Sequence, residues 1–141
     1  MKDDAIKISD LSRIPNPNGD VMHALKSSEK GYNGFGEAYF SIVLNNSIKA
    51  WKLHKRMTMN LVVPYGLVRF VFKKDKSNIF SQEIIGENQY KRLTILPGVW
   101  FGFQGLKDKE SLVLNIADIE HDPSEVETKP IDYFNFNWSN K

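Results

Sequence analysis

The residues best suited to chemistry lie in Ile48–Phe72, where one histidine, His54, stands among Lys52, Lys55 and Arg56. An imidazole exchanges protons near neutral pH, so a histidine beside cations fits a general base acting next to an anionic substrate. Strand side chains alternate, which puts Lys52, His54 and Arg56 on one face and Leu53 and Lys55 on the other. Three such groups on one face would suit a pocket for a phosphate or carboxylate. The plain alternative is a solvated face on an edge strand. His121 follows an apolar strand in Ile119-Glu120-His121-Asp122-Pro123, where it would serve either as a second proton-transfer group or as a simple loop residue. His23, near a turn, reads as a surface or packed histidine. Asn60 and Asn115 add amides to the candidate substrate-binding set. Trp51, Tyr90, Trp100 and Trp138 offer faces for a base or sugar to stack on, against the ordinary reading of each as core packing.

These residues are positioned by a chain of short strands. Glu37–Leu44, Ile48–His54, Tyr90–Leu96, Trp100–Phe103 and Ser111–Ala117 read as strands by alternation or by a short apolar run. Met57–Val63 and Leu67–Phe72 read as a hairpin around Pro64-Tyr65-Gly66. Ala5–Ser9 reads as an edge strand or lead-in, Val21–Lys26 as a further short strand, and Phe80–Gly86 as one more short strand or a loop. Ser124–Thr128 suggests a helical turn, and the aromatic tail Asp132–Trp138 is expected to pack down. Gly, Pro and Asn turns separate the strands and no long amphipathic helix appears. The pattern is that of an all-β sandwich or barrel, and a cupin-type jelly roll suits the size, as one domain spanning residues 1–141. Pockets favour the mouths of such barrels.

Composition narrows the function. The 141 residues carry a net charge of only +2, too little basic bias for a dedicated nucleic-acid binder. There is no cysteine, so disulfides and thiolate metal sites are excluded and a reducing cytoplasm is the expected compartment. No apolar run approaches the roughly 18 residues of a membrane-spanning helix. The first residues, MKDDAIKISDLSRIP, do not read as a signal peptide. No phosphate-binding glycine loop and no Gly-x-Ser-x-Gly elbow occurs. The His-x-His pair and later ligands of metal-binding cupins are missing, since Arg56 stands two after His54 and Val99, Trp100 and Phe101 follow Pro97-Gly98. No metal or cofactor is expected.

In order along the chain stand Leu53-His54, then Tyr90-Lys91-Arg92-Leu93-Thr94-Ile95-Leu96-Pro97-Gly98-x-x-x-Gly102-Phe103-x-x-Leu106, then Asp122-Pro123-x-x-x-Glu127. This order resembles the dTDP-4-dehydrorhamnose 3,5-epimerase family of metal-free cupins, loosely over most of the chain, with Pro-Gly-x-x-x-Gly-Phe its most specific part. The resemblance implies that His54 is the base that removes the proton next to a 4-keto group. It implies a cofactor-independent epimerase or ketoisomerase acting on a 4-keto-6-deoxy nucleotide sugar, in deoxysugar or surface-polysaccharide biosynthesis, and working as a homodimer. Cations near the mouth would hold the diphosphate, an aromatic ring the base, and Lys52, Lys55 or Asn60 the enolate. The departures are specific. The family's histidine before Gly-Phe is Phe101 here, and its arginine three before the base is Trp51. Its tyrosine acid falls at Glu120 or His121, so His121 or a tyrosine would deliver the second proton. The short chain leaves open whether the aspartate that orients the base has a counterpart. The competing function is a non-catalytic cupin-like module for a nucleotide sugar or carbohydrate, which would not bring His121 into the cavity of His54. A metal-dependent cupin oxygenase is the third reading, revived only by bound metal.

Overall fold

A computed structural model describes residues 4–139, so residues 1–3 and 140–141 lie outside it. The described residues form twelve strands, β1 (Ile6–Asp10), β2 (Arg13–Ile14), β3 (Val21–Met22), β4 (Glu37–Val43), β5 (Ile48–His54), β6 (Met59–Tyr65), β7 (Leu67–Lys74), β8 (Phe80–Gly86), β9 (Lys91–Ile95), β10 (Val99–Gly105), β11 (Ser111–Ala117) and β12 (Val126–Thr128). A single 3-10 turn, Pro123–Glu125, precedes β12. Two five-stranded antiparallel sheets, β1-β9-β6-β11-β4 and β12-β5-β10-β7-β8, face each other as a jelly roll, and β2-β3 forms a small ribbon.

The apolar core fills the space between the sheets. Met59, Leu61 and Val63 of β6 meet Phe70 and Phe72 of β7 and Phe101 of β10 there. The intervening residues point outward, as period-two alternation requires. Along β5, Trp51 and Leu53 therefore turn to the outer face, where they join Val71, Trp100 and Trp138 in a second buried cluster. The aromatic tail closes that face. Phe134 and Trp138 contact the Trp51 ring at 5.4 and 5.3 Å, and the Trp51 indole donates to the Ile131 carbonyl. Arg69, buried on the same face, donates to Gln104 Oε1 and to the Trp138 carbonyl.

The Met57–Val63 and Leu67–Phe72 segments are not a hairpin. β6 pairs with β9 and β11 in the first sheet, while β7 pairs with β8 and β10 in the second. The chain crosses between layers at Gly66, whose φ of 92° favours glycine. A Cβ there would lie 2.2 Å from Ser111 Oγ, so the crossing is closed to other residues. Local pattern cannot tell such a crossing from a hairpin, because both need an extended run, a turn and a second extended run. Of the Val21–Lys26 strand only Val21–Met22 forms, and it pairs with Arg13–Ile14. The Ser124–Thr128 turn shrinks to one 3-10 turn followed by β12.

Candidate active site

His54 ends β5 on the face turned into the barrel and is 92 % buried, so it does not sit on a solvated face. Its Nδ1–H donates to Glu125 Oε2 at 2.5 Å. Glu125 is more deeply buried still, and its second oxygen accepts from the Arg56 and Met57 amides at 3.0 and 2.9 Å. Burial works to raise the Glu125 carboxyl. The His54 hydrogen bond, the two amides and the charge of His54 outweigh it and hold the group below the ordinary carboxylate value. An ionised carboxylate on Nδ1 fixes the tautomer that leaves the Nε2 lone pair free, and it stabilises the imidazolium formed when Nε2 takes a proton. Phe101, where the resembled family has a histidine, lies nearly parallel to the His54 ring at 6.1 Å.

The local sequence explains how Glu125 arrives. Asp122 caps the 3-10 turn by accepting from the Ser124 amide, and Pro123 presets its first residue. Ser124 and the Arg56 guanidinium hold the Asp122 carboxyl below its usual range. β12 then pairs with β5, Val126 opposite His54, and the Lys55 amide donates to the Glu125 carbonyl. Glu127, the acid in the Asp122-Pro123-x-x-x-Glu127 pattern, instead faces outward and pairs loosely with Lys55 at 3.6 Å. The buried acid beside His54 is Glu125, two residues earlier.

A cavity of about 550 Å³ opens beside His54 between the two sheets. His54, Lys52, Asn115 and His121 all line it, which brings His121 into the same space as His54. The other four candidates do not line it. Lys55 is taken by Glu127, and Arg56, beyond the end of β5, turns away to Asp122 at 2.5 Å. Asn60 is on the outer face of the first sheet, where it donates to the Gly31 carbonyl and accepts from Thr94 Oγ1. Trp100 points into the tail-covered cluster with its indole N–H toward Asp75. Sequence reasoning missed Glu37 and Tyr39 on β4, together with Lys49 and Lys129, all of which line the cavity. Lys49 Nζ donates to Ser41 Oγ and to the Ile42 carbonyl, and Glu37 Oε1 accepts from the His121 amide. Tyr39 was legible only as an alternating residue of β4, and nothing in its local sequence marks which face turns inward. Lys49, Lys52 and Lys129 against Glu37 make the wall net cationic, while Met57, Met59, Leu61 and Phe103 supply apolar surface. Among the described residues no group of three His, Cys, Asp or Glu side chains is placed to hold a metal ion.

No protein-family model and no curated protein matches the sequence. Solved structures do. A dTDP-sugar isomerase from Desulfovibrio desulfuricans is 35 % identical, covering 98 % of this chain and 93 % of that one with a TM-score of 0.90. A sugar 3,4-ketoisomerase from Thermoanaerobacterium thermosaccharolyticum, crystallised with TDP, shares the fold at 16 % identity, covering 92 % and 91 % of the two chains with a TM-score of 0.73. A dTDP-6-deoxy-D-glucose 3,5-epimerase from Legionella pneumophila, crystallised with dTDP-4-keto-L-rhamnose, does so at 13 % identity, covering 93 % and 76 % with a TM-score of 0.80. The buried histidine–carboxylate pair in a cationic barrel cavity thus sits on a scaffold shared over nearly its full length, and the chain belongs to the family of dTDP-sugar isomerases and epimerases that includes the dTDP-4-dehydrorhamnose 3,5-epimerases.

Proposed function

We propose that the protein is a cofactor-independent isomerase of a 4-keto-6-deoxy nucleotide sugar, with His54 as the base that removes a proton from the carbon next to the ketone. The observation that carries this reading is the buried His54–Glu125 pair on the wall of the cavity. Nε2 takes the proton, the electron pair moves into the carbonyl to give an enediolate, and Glu125 balances the imidazolium. The cavity's lysines favour the negative charge of the enediolate and of the diphosphate. Reprotonation needs a donor on another wall, and His121 and Tyr39 are the proton-bearing groups there. The presence of His121 in the same cavity favours catalysis over a non-catalytic binding module.

The substrate class is supported by the ligands of the related structures, which are TDP and a dTDP-4-keto sugar. A homodimer fits the outward face of β4, an edge strand on which Phe40 and Ile42 are exposed, with exposed Leu44 just past its end. The test is proton NMR of dTDP-4-keto-6-deoxyglucose with the protein in heavy water. Loss of the C3 or C5 proton signal supports the isomerase, and saturable binding without exchange supports the module.

A further inference from the structure

The cavity wall that faces His54 is built on β4 and β11, from the sheet opposite the one that carries His54. Alternation turns Glu37, Tyr39 and Ser41 of β4 toward it. Two of these are engaged by neighbours, Glu37 accepting from the His121 amide and Ser41 from Lys49 Nζ. Tyr39 is half-exposed, so its side chain is open to an occupant of the cavity. Its hydroxyl oxygen accepts from Asn115 Nδ2 at 3.0 Å, and a hydroxyl that accepts still has its own hydrogen to give. Asn115 stands directly opposite on β11, buried between Val113 and Ala117. A buried amide is costly unless it is bonded, and the bond this one makes goes to the phenol. His121, the other proton-bearing group on the wall, is exposed in the loop after β11, and its contact to Glu37 is made by the backbone amide rather than the ring.

We infer that Tyr39, held by Asn115, is the acid that reprotonates the substrate carbon from the side opposite His54, so that the reaction inverts that carbon. The inference rests on the proposed function, since it takes a 4-keto nucleotide sugar as the occupant and His54 as the base. It moves the acid to β4, whereas the tyrosine of the resembled family falls at Glu120 or His121. His54 Nε2 removes the proton, and the C–H electron pair moves into the carbonyl to give the enolate. The pair then returns to carbon, a new C–H bond forms with the Tyr39 proton, and the carbonyl is restored. An imidazolium and a phenolate are left, and exchange of one proton each with solvent resets them. The Asn115 amide that bonds the neutral phenol bonds the phenolate more strongly, because the acceptor is then charged. Base and acid on facing sheets give inversion, whereas a 3,4-ketoisomerisation needs only one base moving a proton between neighbouring carbons on one face.

Proton NMR of dTDP-4-keto-6-deoxyglucose in heavy water separates two events, deuterium entry next to the ketone and formation of the C3 or C5 epimer. The wild type is expected to show both. Tyr39→Phe is expected to slow epimer formation about 10²-fold relative to deuterium entry, which His54 can complete by returning a solvent deuteron on its own side. Asn115→Leu, at the positioning residue, is expected to move the same ratio in the same direction by about tenfold. A merely structural loss lowers both events together, so partial unfolding of either variant does not imitate the shift. Exchange without an epimer in the wild type, an unchanged ratio in Tyr39→Phe, or the split appearing in His121→Gln instead overturns the role of Tyr39 and leaves the isomerase reading intact. Absence of both events in the wild type overturns the isomerase reading itself.

Discussion

At the scale of the residue, the proposed chemistry depends on which nitrogen of His54 is free. Glu125 holds Nδ1, and two backbone amides hold Glu125, so the ring is fixed in orientation and tautomer before substrate arrives. Glu125→Gln keeps the shape and removes the charge. It is expected to lower the rate of solvent-proton exchange into substrate by about 10²- to 10⁴-fold with little change in KM, which steady-state NMR kinetics would show. A KM effect without a kcat effect would assign Glu125 to binding. The same carboxyl carries a pH dependence. Its folded-state value is depressed, so the unfolded chain binds its proton more readily. Its contribution to stability is therefore complete above the ordinary glutamate range and is lost as pH falls through the folded-state value. Thermal melts should show the gap between wild type and Glu125→Gln wide at pH 7 and narrowing below about pH 4. The sequence showed His54 plainly, because a lone histidine among cations is a local signal. It did not show Glu125, 71 residues away, because only the pairing of β12 with β5 makes the two neighbours.

At the scale of the element, beyond a register shift opposite Phe101 and Gly102, β5 divides its duties by alternation from Trp51 to His54. Lys52 and His54 face the cavity, while Trp51 and Leu53 anchor the strand in the tail-covered cluster. The tail is thus a cover on the back of the strand that carries His54, fastened where Arg69 meets the Trp138 carbonyl. The Trp51 and Lys129 backbones also bond each other in both directions at 3.0 Å, which seats the chain after β12. Trp138→Ala is expected to cost about 3–5 kcal/mol, read as a fall in Tm on the order of 10 °C. An unchanged melt would mean that the tail packs without holding the sheet. The packed aromatic tail and the strands on either side of Pro97-Gly98 were readable from residue type. The crossing at Gly66 was not, since β6 and β7 look like a hairpin until their partners are known. Arg56 illustrates the same limit. Alternation placed it beside His54, but β5 ends at His54 and the chain turns.

At the scale of the whole molecule, two sheets enclose one cavity, and the edge strand β4 contributes to both its inside and the outer surface. Glu37, Tyr39 and Ser41 line the cavity while Phe40, Ile42 and Leu44 face out. An exposed apolar row on a sheet edge is what a second copy would cover. Light scattering coupled to size exclusion should give twice the chain mass for the wild type and the chain mass for Ile42→Glu. A monomeric wild type would remove the dimer from the account. Barrel architecture and the family's residue order were both legible in the sequence. Which sheet each candidate joined was not, and that decided which of them reach the cavity.

Replacing His54 by asparagine separates binding from proton abstraction. Asparagine approximates the position of Nδ1 but offers no basic nitrogen. With dTDP-4-keto-6-deoxyglucose in heavy water, the wild type is predicted to exchange a proton next to the ketone, and His54→Asn is predicted to bind the sugar yet leave that proton in place. Exchange at the wild-type rate in a folded His54→Asn protein would contradict the account.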